Sequence, residues 1–203
     1  TNFYLSGSYT KQDAIVLPAD FERATLLTNI GHKVNRKFSI ESQISLSTIL
    51  QTGPFSQDGS FLGSPAFSST LILPHNPIYN PDGTFYGLPP NAVNGVLNQN
   101  VIGVVTYNTS RQRTNQMVGS ISASYEIAKG LRYKGVFGLD YRLVQTSRYT
   151  DPRTNDGAGV GGRLIEVSNW NTNYMTTQTL NYVKTFNEVH NINALAGVEY
   201  RND

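Results

Sequence analysis

The residues from Lys37 to Leu50 alternate with a period of two, and no other feature restricts the possible folds as strongly. Phe38, Ile40, Ile44, Leu46 and Leu50 share one parity, with Ser42 and Thr48 among them. Ser39, Glu41, Gln43, Ser45 and Ser47 share the other. Successive side chains of a strand point to opposite faces, so this segment must separate an apolar environment from a wet one. Gln116 to Ile127 repeats the pattern, with Met117, Gly119, Ile121, Ala123, Tyr125 and Ile127 against Ser120, Ser122, Ser124 and Glu126. Leu131 to Leu143 does so again, with Leu131, Tyr133, Gly135, Phe137, Leu139, Tyr141 and Leu143 against Arg132, Lys134, Asp140 and Arg142. Weaker alternation runs through Asn2 to Thr10, Arg23 to His32, Asn173 to Val183 and His190 to Tyr200. Helical periodicity is nearly absent, so an all-β chain of about seven strands is expected.

The joints between these strands alternate in length. Lys33 to Arg36, Ala128 to Gly130 and Thr185 to Glu188 are short, whereas Lys11 to Asp20, Gln51 to Arg113 and Ser147 to Trp170 are long. Short turns at one end and long loops at the other are the pattern of an up-and-down outer-membrane β-barrel. The aromatic residues agree, because their rings favour the two bilayer interfaces. Phe3, Phe38, Tyr125, Tyr133 and Tyr182 lie near the short-turn ends, and Tyr9, Tyr141, Tyr174 and Tyr200 near the long-loop ends, as two membrane girdles. Closed single-chain barrels begin at eight strands, so seven are expected to be part of a larger transmembrane barrel. A soluble β-sandwich binding carbohydrate is the alternative. Loop asymmetry and the small residues Gly119, Ala123, Gly135 and Ala194 on the apolar face count against it.

Composition closes several classes. The chain has no cysteine, which excludes disulfides, thiolate metal sites and cysteine nucleophiles. Its net charge of +2 provides no basic field for nucleic acid. No apolar run reaches the roughly 20 residues of a transmembrane helix.

Four stretches stand in order over nearly the whole chain: Tyr4-Leu5-Ser6-Gly7-Ser8-Tyr9 followed by Ile15-Val16; Asp20-Phe21-Glu22-Arg23 through Asn29 and Val34-Asn35; Pro77 to Phe85; and Leu180, Tyr182, Phe186, His190, Leu195, Gly197 and Glu199. Together they resemble the SusC/RagA-type TonB-linked outer-membrane transporters, whose patterns read Y-x-S-G-x-Y then G-I-V, D-F-x-R with N and V-N, P-x-Y-N-x-D-G-x-aromatic, and L-x-Y-x-x-x-F-x-x-x-H-x-x-x-x-L-x-G-x-E. Ala14 and Leu27 depart from the pattern, where Gly and a second Arg are usual.

The resemblance implies a wall segment, residues 1–203, of a TonB-dependent barrel, with the plug and the closing C-terminal strands outside it. It implies nutrient import across the outer membrane of a Gram-negative bacterium without enzymatic chemistry or a cofactor. The implied partners are a SusD/RagB-type surface lipoprotein, the TonB complex acting through the plug, the lipid bilayer, and an oligosaccharide or peptide substrate. Arg23, Arg132, Lys134, Asp140 and Arg142 would face the lumen or plug. Tyr79, Asp82, Phe85, Tyr86 and Trp170 in the external loops are the candidate ligand contacts. The aromatics Phe55, Phe61, Phe67, Tyr79, Phe85, Tyr86 and Tyr107 admit two readings: stacking on sugars or a partner, or packing as the loop's own small core.

Other motifs carry less. Gly157 to Gly162 satisfies G-x-G-x-x-G but lacks the preceding strand and following helix of a dinucleotide site, so a flexible loop is expected. Asp151, Asn155 and Asp156, and separately Asn80, Asp82 and Gly83, offer oxygens to calcium without the EF-hand spacing. His32, His75 and His190 are too scattered for zinc. There is no nucleophile elbow, and the sequon Asn108-Thr109-Ser110 is a pattern only.

Overall fold

The structure is a computed structural model that describes residues 1–15, 18–53, 68, 71–93 and 100–202. Seven strands form one antiparallel sheet in chain order: β1 (Asn2–Asp13), β2 (Asp20–Lys33), β3 (Phe38–Thr52), β4 (Thr109–Ala128), β5 (Leu131–Thr150), β6 (Arg163–Phe186) and β7 (His190–Asn202). Among the described residues the short helices α1 (Val101–Tyr107) and α2 (Asn155–Ala158) belong to the long loops. No second sheet stacks on the first among the described residues, as a sandwich would require.

The turns at the short end close by local chemistry. Between β2 and β3 the Asn35 carboxamide oxygen accepts from the backbone N–H of Lys37 at 2.8 Å and of Phe38 at 2.9 Å, holding an Asx-type turn. Between β4 and β5 only Lys129 and Gly130 remain. Gly130 has φ +84°, and a Cβ there would stand 2.2 Å from the Val183 carbonyl oxygen, so only glycine fits. Between β6 and β7 both Asn187 and Glu188 take positive φ, the pattern of a type I′ turn that suits the twist of a hairpin.

Register fixes the faces. Residues directly opposite one another across a ladder share a face, and the pairings carry one parity through all seven strands. The rung through Phe3 runs Ile30, Ser42, Ile121, Phe137, Thr176 and Tyr200. The rung through Phe38 runs Tyr125, Tyr133, Leu180 and Ala196. Every strand therefore contributes its apolar parity to one continuous surface. This surface is uncovered: Phe3 is 81% exposed, Ile121 52% and Phe137 49%. The buried apolar side chains among the described residues, Leu88 and Val104, lie in the long loop between β3 and β4 instead.

The aromatic girdles cross the rungs at an angle. Tyr9 shares a rung with Leu143 and Trp170, while Tyr141 lies one outward rung nearer the short turns, Tyr174 two and Tyr200 three. The turn-side set descends in step, from Phe3 to Phe38, Tyr125 and Tyr133 two rungs lower and Tyr182 three. Three rungs are about 20 Å along the strands, against about 29 Å across six strand spacings, an inclination of roughly 35°. Strands in closed barrels tilt by that amount against the barrel axis. If each girdle is level with a membrane surface, the strands cross the bilayer at the tilt a barrel needs.

The strands run further toward the long loops than alternation predicts. β5 and β6 extend for 20 and 24 residues, so the expected joint from Ser147 to Trp170 shrinks to residues 151–162. The joints expected at Lys11 to Asp20 and Gln51 to Arg113 shrink likewise, to residues 14–19 and 53–108. Beyond the apolar zone both faces meet water, so side-chain period disappears while the hydrogen-bond ladder continues. Ile127 also departs from its expected place on the apolar face, because the register shifts between Glu126 and Ala128 and leaves it in a bulge.

Candidate functional site

The wet face of the sheet carries the charges singled out from the sequence. Arg132 stands opposite Glu126 and Asn181, Lys134 opposite Ser124 and Thr179, Asp140 opposite Val118 and Asn173, and Arg142 opposite Gln116 and Asn171. The Asp140 carboxylate accepts a hydrogen bond from Gln116 Nε2 at 3.2 Å. Arg23 shares the face but sits on β2, opposite Thr10 and Ile49, three strands from Arg142. Arg148, on the β5 extension that alternation did not reveal, joins the same face opposite Ser110 and Ile165. Along β5 this face thus presents four cations, Arg132, Lys134, Arg142 and Arg148, and one carboxylate, Asp140. Around them lie Ser, Thr, Asn and Gln side chains, a surface suited to hydrogen bonding.

At the long-loop end, segments from two loops pack as one body. Tyr79 and Phe85 pair in an isolated bridge, and the Asn80 backbone N–H donates to the Thr84 carbonyl at 2.8 Å. The Asp82 carboxylate accepts from both the N–H and the hydroxyl of Thr84, which hold its pKa below the usual range. The Tyr79 and Phe85 rings stack at 5.2 Å, and Tyr107 meets Phe85 edge-on at 5.3 Å. Asn100 caps α1 by accepting from Gly103 N–H, while its Nδ2 donates to the carbonyls of Ile78 and Tyr86. Gly103 lies so close to Leu88 that a Cβ would approach its Cδ1 to 2.6 Å. Sequence reasoning passed over Asn100; its signal is an N-cap residue followed by an apolar run, Val101 to Val105.

A charged clip joins the second loop to the first. Arg153 grips Asp151 with two hydrogen bonds, Nε to Oδ1 at 2.9 Å and a terminal nitrogen to Oδ2 at 2.8 Å. Its guanidinium lies 3.8 Å from the centre of the Tyr107 ring. The Asp151 backbone N–H donates to Asn108 Oδ1 at 2.8 Å, and Asp151 is nearly buried. The arginine pulls the Asp151 pKa down from 3.8 to about 2, against the opposing effect of burial.

These contacts redistribute the candidate ligand residues. Tyr79, Asp82, Phe85 and Tyr86 lie together, but Phe85 and Tyr107 pack into the loop's own core while Tyr79 stays about half exposed. Phe55, Phe61 and Phe67 lie outside the described residues. Trp170 is elsewhere: it stands within β6, not in a loop, on the outward face opposite Leu143. Of the oxygens considered for calcium, Asp82 Oδ1 and both carboxylate oxygens of Asp151 accept from protein donors. Gly157 to Gly162 follows no strand and opens no long helix.

No family model matches the chain. Among curated proteins, TonB-dependent receptor P3 of Formosa agariphila is 27% identical over 99% of this chain and 20% of its own length. TonB-dependent receptor P26 of the same organism is 23% identical over 98% of the chain and 19% of its own length. Among solved structures, that of the RagAB peptide transporter superposes with a TM-score of 0.72 at 19% identity, covering 98% of this chain and 22% of that one. The RagAB peptide importer in its open-open state gives 0.70 at 18%. The chain is thus similar in sequence to TonB-dependent receptors and in fold to a segment of the RagAB transporter. It spans about a fifth of the length of the curated relatives it matches. The likeness to the solved structures extends through all seven strands, so the open sheet corresponds to part of a barrel wall.

Proposed function

We propose that the chain forms part of the wall of an energised nutrient importer in the outer membrane of a Gram-negative bacterium. The observation that carries this reading is the register, which joins the apolar parity of all seven strands into one uncovered surface bounded by two inclined girdles. The outward face meets lipid, and the short turns lie on the periplasmic side. The wet face lines the lumen, where Arg23, Arg132, Lys134, Asp140 and Arg142 contact a plug or the passing substrate. The loop body around Tyr79, Asp82, Phe85 and Tyr86 lies at the external mouth, facing a SusD/RagB-type lipoprotein. The substrate is an oligosaccharide or a peptide, moved by binding and gated passage under TonB control.

Names of relatives and the fold of neighbours support this reading. The test is uptake by cells carrying the full-length parent protein, with and without a functional TonB complex, together with affinity purification of the tagged parent. Energy-dependent uptake and co-purification of a surface lipoprotein are the expected results. Uptake that persists unchanged without TonB would replace the reading with a passive pore.

A further inference from the structure

Trp170 stands outside both girdles. The line from Tyr9 on β1 to Tyr200 on β7 falls three rungs in six strands, or half a rung per strand. At β6 that line passes two and a half rungs on the turn side of Trp170, and at β4 two and a half on the turn side of Arg113. At about 6.6 Å per rung, corrected for the tilt, both residues lie about 13 Å above the loop-side girdle, and Arg111 about 5 Å higher. All three have outward parity. Trp170 is 72% exposed, and both arginines are exposed.

The surroundings of this patch are polar. Arg113 is flanked by Leu50 and Gln145, and Arg111 by Thr52 and Ser147. Among the described residues neither arginine has a carboxylate partner. The carboxylates of this face at that height, Asp20 and Glu22 on β2 and Glu166 on β6, stand two strands away, about 10 Å, and Asp13 on β1 stands three away. Glu22 is already paired with Lys11 at 3.4 Å. An indole exposed this far above the apolar zone has no lipid tail to meet, and two unpaired arginines need an anion. The lipid of an outer leaflet that reaches this height is lipopolysaccharide, whose inner core consists of sugars bearing phosphate and carboxylate groups.

We propose that Trp170, Arg113 and Arg111 form an outward-facing site for the anionic inner-core saccharide of lipopolysaccharide around the barrel. Trp170 offers its flat face to the apolar side of a sugar ring, and the guanidinium groups take phosphate or carboxylate oxygens in paired hydrogen bonds. The site rests on the membrane-barrel reading above and adds a lipid partner distinct from the cargo.

The test uses the full-length parent protein in phosphatidylcholine nanodiscs containing either rough lipopolysaccharide with its inner core or lipid A alone, with lipid retained per protein after washing as the readout. The expected result is preferential retention of rough lipopolysaccharide. Arg111→Gln and Arg113→Gln should each weaken it by about fivefold, the worth of one basic residue at an anionic surface. Trp170→Ala should weaken it too, and Arg113→Lys should retain only part of it, because an ammonium keeps the charge but loses the paired hydrogen bonds. Equal retention of lipid A and rough lipopolysaccharide, or variants that retain as much as the wild type, would overturn the site while leaving the barrel reading intact. A parent protein that stays dispersed in water and never enters the discs would sink both.

Discussion

Phe3 and Tyr200 stand on one rung of the sheet although they belong to opposite aromatic girdles. Phe3 lies near the short-turn end of the first strand, and Tyr200 near the loop end of the seventh. A rung that joins the two edges of an apolar zone cannot run parallel to the membrane. The sheet must lean, and the roughly 35° obtained from the girdles is what lets a wider ladder of such strands close on itself.

The outward surface between the girdles should therefore behave as a lipid face. Phe137, on the rung of Phe3 and Tyr200, is half exposed there. In the bilayer-embedded parent protein, Phe137→Lys should cost about 2–4 kcal/mol, the range found for a cation at mid-membrane depth. Val136→Lys, one residue away on the wet face, should cost clearly less. Denaturant unfolding of the two variants in lipid vesicles checks the pair, and equal costs would contradict the assignment of faces.

The faces were legible because alternation is written wherever a strand separates two solvents. Phe38, Ile40 and Leu46 carried it, and the register joined them to the apolar parity of the neighbouring strands. The strand extensions were hidden for the same reason in reverse. From Gln145 to Thr150 and from Arg163 to Asn169 both faces are wet, so the ladder continues without a side-chain period. Trp170 was read as a loop residue on that account. The loop body was hidden for another reason: Asp151 and Arg153 reach Asn108 and Tyr107, and Asn100 reaches Ile78 and Tyr86, across stretches that no local spacing links. Arg153 gives no sign in sequence that it will lie on Tyr107.

The clip between the loops should be sensitive to acid. The folded-state pKa of Asp151 is lowered from 3.8 to about 2, so its contribution is fully present above about pH 4 and is lost as pH falls toward 2. Pepsin cleavage within residues 100–108 and 151–162 should accelerate through that window in the parent protein. Asp151→Asn should raise cleavage already at pH 4 and flatten the dependence below it. A wild-type profile without a step between pH 4 and 2 would show that the Asp151 and Arg153 pair does not hold the loops.

Asn100 should be the point whose loss loosens the first loop. Its side chain caps α1 and also ties down the carbonyls of Ile78 and Tyr86. Asn100→Ala removes all three contacts and should cost the loop about 1–2 kcal/mol, the usual worth of an N-cap. Asn100→Asp keeps an acceptor for Gly103 N–H but faces two carbonyl oxygens without a donor. Amide hydrogen exchange over residues 78–88 and 100–108 should rise in both variants. The β-strands, which do not use this side chain, should keep their protection.

The lean of the sheet makes one more expectation, and it separates a tilted barrel wall from an upright sheet. The chain contains no cysteine, so a single one introduced in its strands marks a depth within this segment. Tyr200→Cys lies at the loop-side girdle and should react with a membrane-impermeant thiol reagent added outside intact cells. Phe3→Cys lies on the same rung but at the turn-side girdle, and should react only after the outer membrane is opened. Thr176→Cys, between them on that rung, is one strand from Tyr200 and five from Phe3. With half a rung of descent per strand, it should sit only about 3 Å below the loop-side girdle and label slowly from outside. An upright sheet would place all three at one depth and give one labelling rate. A graded series, fast at Tyr200→Cys, slow at Thr176→Cys and absent at Phe3→Cys, is what strands at roughly 35° require.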